Sequence, residues 1–485
     1  MSGVADVYFP CSTEAAGSVS NRIVGGICCL ALALLLPCAH AQDSAGVAAC
    51  QVKAEQEKSP QSYEVAKSVY EVRKLIYDQK SDEALTAAKA LLQTNPSDSN
   101  VQATLGEAYY RHGDLPSAAS AINQAVQLDP CNARAHFDEW QFFTLTGMRR
   151  TALQQLTLAH QLNSKDNVID FYWQLLQKQP EVSEASRCRL VSSGTSATIP
   201  IDPRGNTPAF NYGAVLNAKV NGKSFHLLVD TGDPGITLTA DEAKQAGIMP
   251  EHTYNSGSHG ATGDGSISGY TGHLKTLQLG PITMADCPVN VVTSPFGGSA
   301  IGLKVFEDFL VTLDVQHARI QLSPLPPLPD TDKGGGTHDR FIAPSMSSWL
   351  HFYEPFALER IVVPVQLGTV GTYLFILDTG APVAHIDQDA AAEVTTVTRD
   401  NVTQVIGYGG AESNVYQAER VPLRVGAISR TYAPMLAYTR AGKSEAAGLR
   451  ISGNLGFDLA RDTTISIDYR DLLINFQPNG RVPYP

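Results

Sequence analysis

At 485 residues the chain exceeds one ordinary domain and has room for roughly two to four. Its 43% hydrophobic content is that of a globular protein able to build real cores. The 48 acidic against 36 basic residues give a net charge of −12 without a Lys/Arg cluster, which excludes a nucleic-acid partner held through its phosphates.

The chain opens on a targeting pattern. Arg22 precedes an apolar run over 23–36, and Pro37-Cys38-Ala39-His40-Ala41 follows. Small residues at Ala39 and Ala41 fit cleavage before Gln42, so 1–41 reads as a signal peptide with an N-terminal extension. The run is shorter than the roughly 20 residues of a spanning helix, so the expectation is cleavage and export, periplasmic or secreted. An uncleaved segment would leave the protein membrane-anchored. Export would place Cys50, Cys131, Cys188 and Cys287 in an oxidising compartment, where three pairings are open and spacing does not choose among them. Those cysteines contain no C-x-x-C, and neither a metal site nor a cofactor is expected.

Residues 60–182 are helical in pattern, with apolar residues recurring every three or four positions. They also repeat. Asn95-Pro96, Asp129-Pro130 and Asn163-Ser164 are spaced by 34 residues, as are Ala84, Ala118 and Ala152, and Gly113 and Gly147. Leu105-Gly106-Glu107-Ala108-Tyr109 supplies a first-helix signature, with Phe143 falling 34 residues after Tyr109. The spacing resembles the tetratricopeptide repeat. It predicts repeats near 63–96, 97–130 and 131–164 and a capping helix after Lys165. Such solenoids offer a surface to a protein partner or act as spacers.

Beyond Cys188 the texture changes to short runs of Val, Ile, Thr, Leu and Phe broken by Gly, Pro, Asn and Asp, the pattern of β structure. A Pro-rich stretch at 324–329 and the glycines at 334–336 mark a linker over 326–340. It divides the region into 195–325 and 341–478.

The two halves share an order of landmarks. In the first, a strand over 212–220 turns at Asn221-Gly222 and returns over 225–229 into Asp230-Thr231-Gly232. In the second, a strand over 361–367 turns near Gly368 and Gly371 and returns over 373–377 into Asp378-Thr379-Gly380. A glycine-rich hairpin follows in each, with Thr262 and Gly263 in the first and Tyr408 and Gly409 in the second. Then come Ala300-Ile301-Gly302 and Asn454-Leu455-Gly456, each ahead of a short apolar helix. The closing strands end at Asp314 and Asp468, which read as structural.

This pattern resembles the aspartic proteases, with two retropepsin-like lobes in one chain in the pepsin-like manner. The resemblance implies an all-β, two-lobed acid-protease fold after the all-α repeats. It implies a catalytic pair, Asp230 and Asp378, and loops braced across the interface by Thr231 and Thr379. Gly232 and Gly380 would let the loops approach, and flaps containing Thr262, Gly263, Tyr408 and Gly409 would close on a peptide or protein substrate. Paired carboxylates suit this chemistry, because two acids side by side cannot both ionise, leaving one as base and one as acid. The expected activity is aspartic-type endopeptidase, with the repeats holding a partner or substrate protein. The alternative is a non-catalytic exported scaffold that keeps the fold.

The family pattern is broken by Asp233-Pro234 and Ala381-Pro382, where small or hydroxyl residues are expected. Asp233 is expected to point to solvent, since unpaired charges are rarely buried. His226, His259 and His385 have no ligand spacing and read as ordinary histidines. No G-x-S-x-G, H-E-x-x-H or Walker pattern occurs.

Overall fold

The computed structural model describes residues 50, 60–78, 80–177, 187–192, 194–205, 212–256, 267–293, 297–329, 338–356, 358–407 and 410–480. The signal segment 1–41, His259 and the flap residues Thr262, Gly263, Tyr408 and Gly409 lie outside them. No described helix is long and apolar enough to cross a membrane.

Among the described residues of 60–177 the chain forms seven helices. They are α1 (Pro60–Tyr77), α2 (Ser81–Thr94), α3 (Ser99–His112), α4 (Leu115–Leu128), α5 (Ala133–Leu145), α6 (Arg149–Leu162) and α7 (Asn167–Gln177). The caps explain the periodic punctuation. Asp98, Asp114 and Asn132 accept backbone N–H groups at the starts of α3, α4 and α5. Gly113 and Gly147 follow α3 and α5 at φ +88° and +76°, a conformation that favours glycine. Ala84, Ala118 and Ala152 are all buried. A Cβ on Gly106 would stand 2.5 Å from Ile122 Cγ1, so small residues do set the helix spacing.

The β region consists of two lobes of one topology. In the first, strands Val215–Val220 and Lys223–Val229 form a hairpin. Lys223–Val229 then runs parallel to Ala300–Ile301, which pairs antiparallel with Ile236–Thr239. In the second, Val362–Leu367 and Gly371–Leu377 form the hairpin. Gly371–Leu377 runs parallel to Gly453–Leu455, which pairs antiparallel with His385–Asp387. The closing strands Phe309–Asp314 and Thr463–Asp468 pair with each other across the lobes, Val311 opposite Ile467 and Leu313 opposite Ile465. A single apolar core runs through both lobes beneath this joint.

Two disulfides answer the open pairing. Cys50 is bonded to Cys131, ahead of α5, and Cys188 to Cys287 in the first lobe. The helices do not hang on a tether. Leu115 and Leu145 pack with Leu358, Val362, Leu374, Ile376, Leu449 and Ile451 of the second lobe. Each large side chain buried this way contributes about 1.5–3 kcal/mol, which makes the contact a packed joint. Polar contacts frame it. Arg450 N–H donates to Arg111 O at 2.8 Å, and Thr151 donates through its N–H and hydroxyl to Asp339, both at 2.9 Å. Asp339 falls within the expected linker, so the end of that segment is pinned to α6.

Candidate active site

Each Asp-Thr-Gly loop emerges where a long strand meets its short parallel neighbour. Asp230 N–H donates to Ile301 O at 3.0 Å and Asp378 N–H to Leu455 O at 2.9 Å. The same topology therefore presents both aspartates in the same way. The loops then cross-brace. Thr231 N–H donates to Thr379 Oγ1 and Thr379 N–H to Thr231 Oγ1, both at 3.0 Å. The Thr231 hydroxyl donates to Leu377 O at 2.9 Å and that of Thr379 to Val229 O at 2.7 Å. Both threonines are buried, so these bonds are shielded from competition by water.

The glycines bring the loops into contact. Gly232 N–H donates to Asp230 Oδ1 at 2.7 Å, and Gly380 N–H, from the opposite lobe, donates to the same oxygen at 3.1 Å. A Cβ on Gly380 would collide with the Asp230 carboxylate, and one on Gly232 would stand 2.8 Å from Asp378 Cγ. No side chain fits at either position.

The electrostatics are lopsided. Burial, then the charges of Asp378 and Asp233, push Asp230 well above the usual carboxylate range, against the Gly232 N–H and Arg360. Asp378 is buried; its Oδ1 accepts Ala381 N–H at 3.1 Å and its Oδ2 accepts Asn454 Nδ2 at 2.5 Å. Tyr212 is raised by burial and by the charges of both aspartates. Lys443 is shifted as well. Burial and the charges of Arg360 and Arg440 drive its ammonium well below the usual lysine range, while Asp378 and Asp230 pull the other way.

Asp233 departs from expectation. It is half-buried, its Oδ1 accepts Gly235 N–H at 3.0 Å, and its charge acts on Asp230. This is an Asx turn, the same bond to the second residue on that Asp98, Asp202 and Asp387 make. Asp314 and Asp468 have the structural roles expected. Asp314 bonds His317 and Arg319, and Asp468 accepts Asp471 N–H at 3.0 Å.

Residues 216–308 match the family model of the gag-polyprotein putative aspartyl protease. The first lobe thus contains an aspartic protease-like domain. Among solved structures, the aspartic proteinase from Irpex lacteus aligns over 59% of this chain and 98% of its own, with 13% identity and a TM-score of 0.34. So distant a likeness adds nothing to the geometry. No curated protein sequence matches the chain.

Ser256 pairs opposite Ile267 and Gly407 opposite Gly410, at the edges of the segments that contain the expected flap residues and lie outside the described ones. Among the described residues no group of three or more His, Cys, Asp or Glu side chains could hold a metal ion. Sequence reasoning missed Tyr212, Arg360, Arg440, Lys443 and Asn454. Only Asn454 left a readable sign, a polar residue where the other half has Ala300. His385, read as ordinary, is buried and in contact with Arg440.

Proposed function

We propose that the chain is an aspartic-type endopeptidase that hydrolyses peptide bonds in the cleft between its lobes. Asp230 and Asp378 activate the water, with Thr231, Gly232, Thr379 and Gly380 holding them together. The observation that carries this reading is the crossed loop pair, in which Gly380 of one lobe hydrogen-bonds Asp230 of the other. Two carboxylates built into one buried loop joint serve no apolar core. Their mutual repulsion is a cost that a purely structural site would have no reason to keep.

In this mechanism Asp378 is the base and Asp230 carries the proton. A water between them loses a proton to Asp378 as its oxygen attacks the carbonyl carbon, and Asp230 donates to the carbonyl oxygen. The raised Asp230 keeps the singly protonated pair in existence closer to neutral pH. Flaps containing Thr262, Gly263, Tyr408 and Gly409 close over the peptide and exclude water.

The site of action is outside the cytoplasm, after removal of 1–41. The two disulfides support that reading, since such bonds persist in oxidising compartments. The repeats hold a partner or substrate protein on the faces that the second lobe leaves uncovered.

The test is cleavage of a peptide library across pH by wild type, Asp230→Asn and Asp378→Asn. Each variant is expected to lose at least about 1000-fold in kcat/KM. Wild-type cleavage by either variant would sink the dyad and leave the scaffold reading in its place.

A further inference from the structure

The matched registers of the two lobes expose a one-sided feature behind the dyad. Leu228 pairs with Ala300 in the first lobe as Ile376 pairs with Asn454 in the second. Thr237 faces Ala300 as His385 faces Asn454. Thr239 pairs with Val292 as Asp387 pairs with Tyr438. Three small or weakly polar residues of the first lobe, Ala300, Thr237 and Val292, thus stand where the second has Asn454, His385 and Tyr438.

The replacements form one buried chain. Asn454 Nδ2 donates to Asp378 Oδ2 at 2.5 Å, and Asn454 Oδ1 accepts Arg440 Nη2 at 2.5 Å. A guanidinium can only donate, so Arg440 fixes the carboxamide with its oxygen outward and its NH2 on Asp378. Arg440 is itself locked. Its backbone N–H donates to Asp387 Oδ2 at 2.8 Å and its Nη1 to His385 Nε2 at 3.2 Å. The same Nε2 lies 2.6 Å from the Tyr438 hydroxyl, and the ring also hydrogen-bonds the Val383 backbone. Burial and the Arg440 charge keep that ring neutral. Asn454, Arg440, His385 and Tyr438 are all at most 5% exposed, so none can swing to water for a substitute partner.

We infer that Asn454, oriented by Arg440, is a positioning residue that holds Asp378 as the ionised member of the dyad and leaves the shared proton on Asp230. A fold built by duplication makes its two aspartates nearly equivalent. This chain breaks the equivalence by giving only Asp378 a side-chain donor locked against reversal. A donor of that kind favours carboxylate over carboxylic acid. The other groups acting on the pair are Asp233 and Tyr212 from the first lobe, Arg360 before Val362–Leu367, and Tyr438 and Lys443 on either side of Arg440. Among these, the Asn454 amide is the group in hydrogen-bond contact with Asp378.

The inference rests on the endopeptidase reading, and its test separates the two. Full-length Asn454→Ala, Asn454→Ser, Arg440→Met and Arg440→Lys are assayed for peptide cleavage against pH, with thermal midpoints measured in parallel. Loss of the donor removes a hydrogen bond that favours the singly ionised pair, so the acid limb of kcat/KM should move up by about one pH unit in Asn454→Ala. Its kcat at the optimum should fall about 10-fold or more with KM little changed. Asn454→Ser, too short to span both partners, should shift the limb likewise and serves if the alanine variant does not fold. Arg440→Met should follow, and Arg440→Lys should recover part of the shift. A wild-type acid limb in folded Asn454 variants, with only the thermal midpoint lowered, overturns the relay. If Asp230→Asn and Asp378→Asn lose activity all the same, the dyad survives that failure.

Discussion

The first lobe carries its own disulfide, Cys188–Cys287, and sets Ala300 beside the strand that delivers its aspartate, with Thr237 opposite Ala300 on the far side. The second lobe packs against α3–α6 and sets Asn454 and His385 at the same register positions. Their strand courses are otherwise twins. Backbone topology thus determines where the two carboxylates stand, and it does so symmetrically. What each carboxylate experiences differs: Asp230 accepts the Gly232 and Gly380 amides, whereas Asp378 accepts Ala381 N–H and the Asn454 carboxamide.

The brace between the lobes should be the most sensitive and the most symmetric element. Replacing Thr231 by Val leaves Thr379 N–H without its acceptor and Leu377 O without its donor, and Thr379→Val does the same to Thr231 N–H and Val229 O. Two buried orphans per variant should cost about 2–5 kcal/mol, nearly equal for the two sites. Denaturant midpoints check this. A large cost at one threonine and none at the other would mean that the loops are held independently.

The disulfide should distinguish the lobes. Its closed loop spans 99 residues, so Cys188→Ser with Cys287→Ser should destabilise the first lobe by about 2–5 kcal/mol. Hydrogen exchange should rise in Val215–Val220 and Ile282–Val292 before it rises in Val362–Leu367. Uniform loosening of both lobes would show that they unfold as one unit.

The closing aspartates should titrate in opposite senses. Burial pushes Asp314 up, but its bonds to His317 and Arg319 outweigh that and hold it below its ordinary value of 3.8. Its contribution is present above that pH and is lost as pH falls through its folded value. Burial and the Asp471 charge instead raise Asp468 to about 6. Between about pH 4 and 6 the folded chain keeps a proton that the unfolded chain releases, so stability falls as pH rises through that window. Asp468→Asn keeps an acceptor for Asp471 N–H and should remove that slope. Relative to wild type, it should gain on the order of 1–2 kcal/mol at pH 7 over its value at pH 4. Parallel pH–stability curves for wild type and Asp468→Asn would contradict the assignment.

What could be read from the amino-acid order follows the range of the interactions. Helical hairpins came through as a 34-residue rhythm because caps such as Asp98, Asn132 and Gly113 act within a turn of their own helix. The two Asp-Thr-Gly loops and the strands behind them showed as parallel local patterns. The cysteine pairing was not legible, because Cys50 and Cys131 meet only through the packing of the repeats. Nor was the Asp378 surround, since Asn454, Arg440 and His385 come from three separate segments and each alone looks like an ordinary polar residue. Asp233 misled because solvent exposure is the usual fate of a loop carboxylate, whereas here an Asx turn onto Gly235 holds it half-buried near Asp230. The docking of α3–α6 on the second lobe left no periodic trace, since Leu115 and Leu145 look like any other core position of a helix.

The central claim is that two unlike lobes make one joint dyad. It is tested most directly by calorimetric binding of a peptide whose scissile carbonyl is replaced by a hydroxyl-bearing tetrahedral carbon, compared with the uncleaved parent peptide bound to inactive protein. A working pair should prefer the tetrahedral mimic by at least about 100-fold, and Asp230→Asn and Asp378→Asn should each abolish that preference. If either variant keeps the full preference, the aspartates do not act together and the account is wrong.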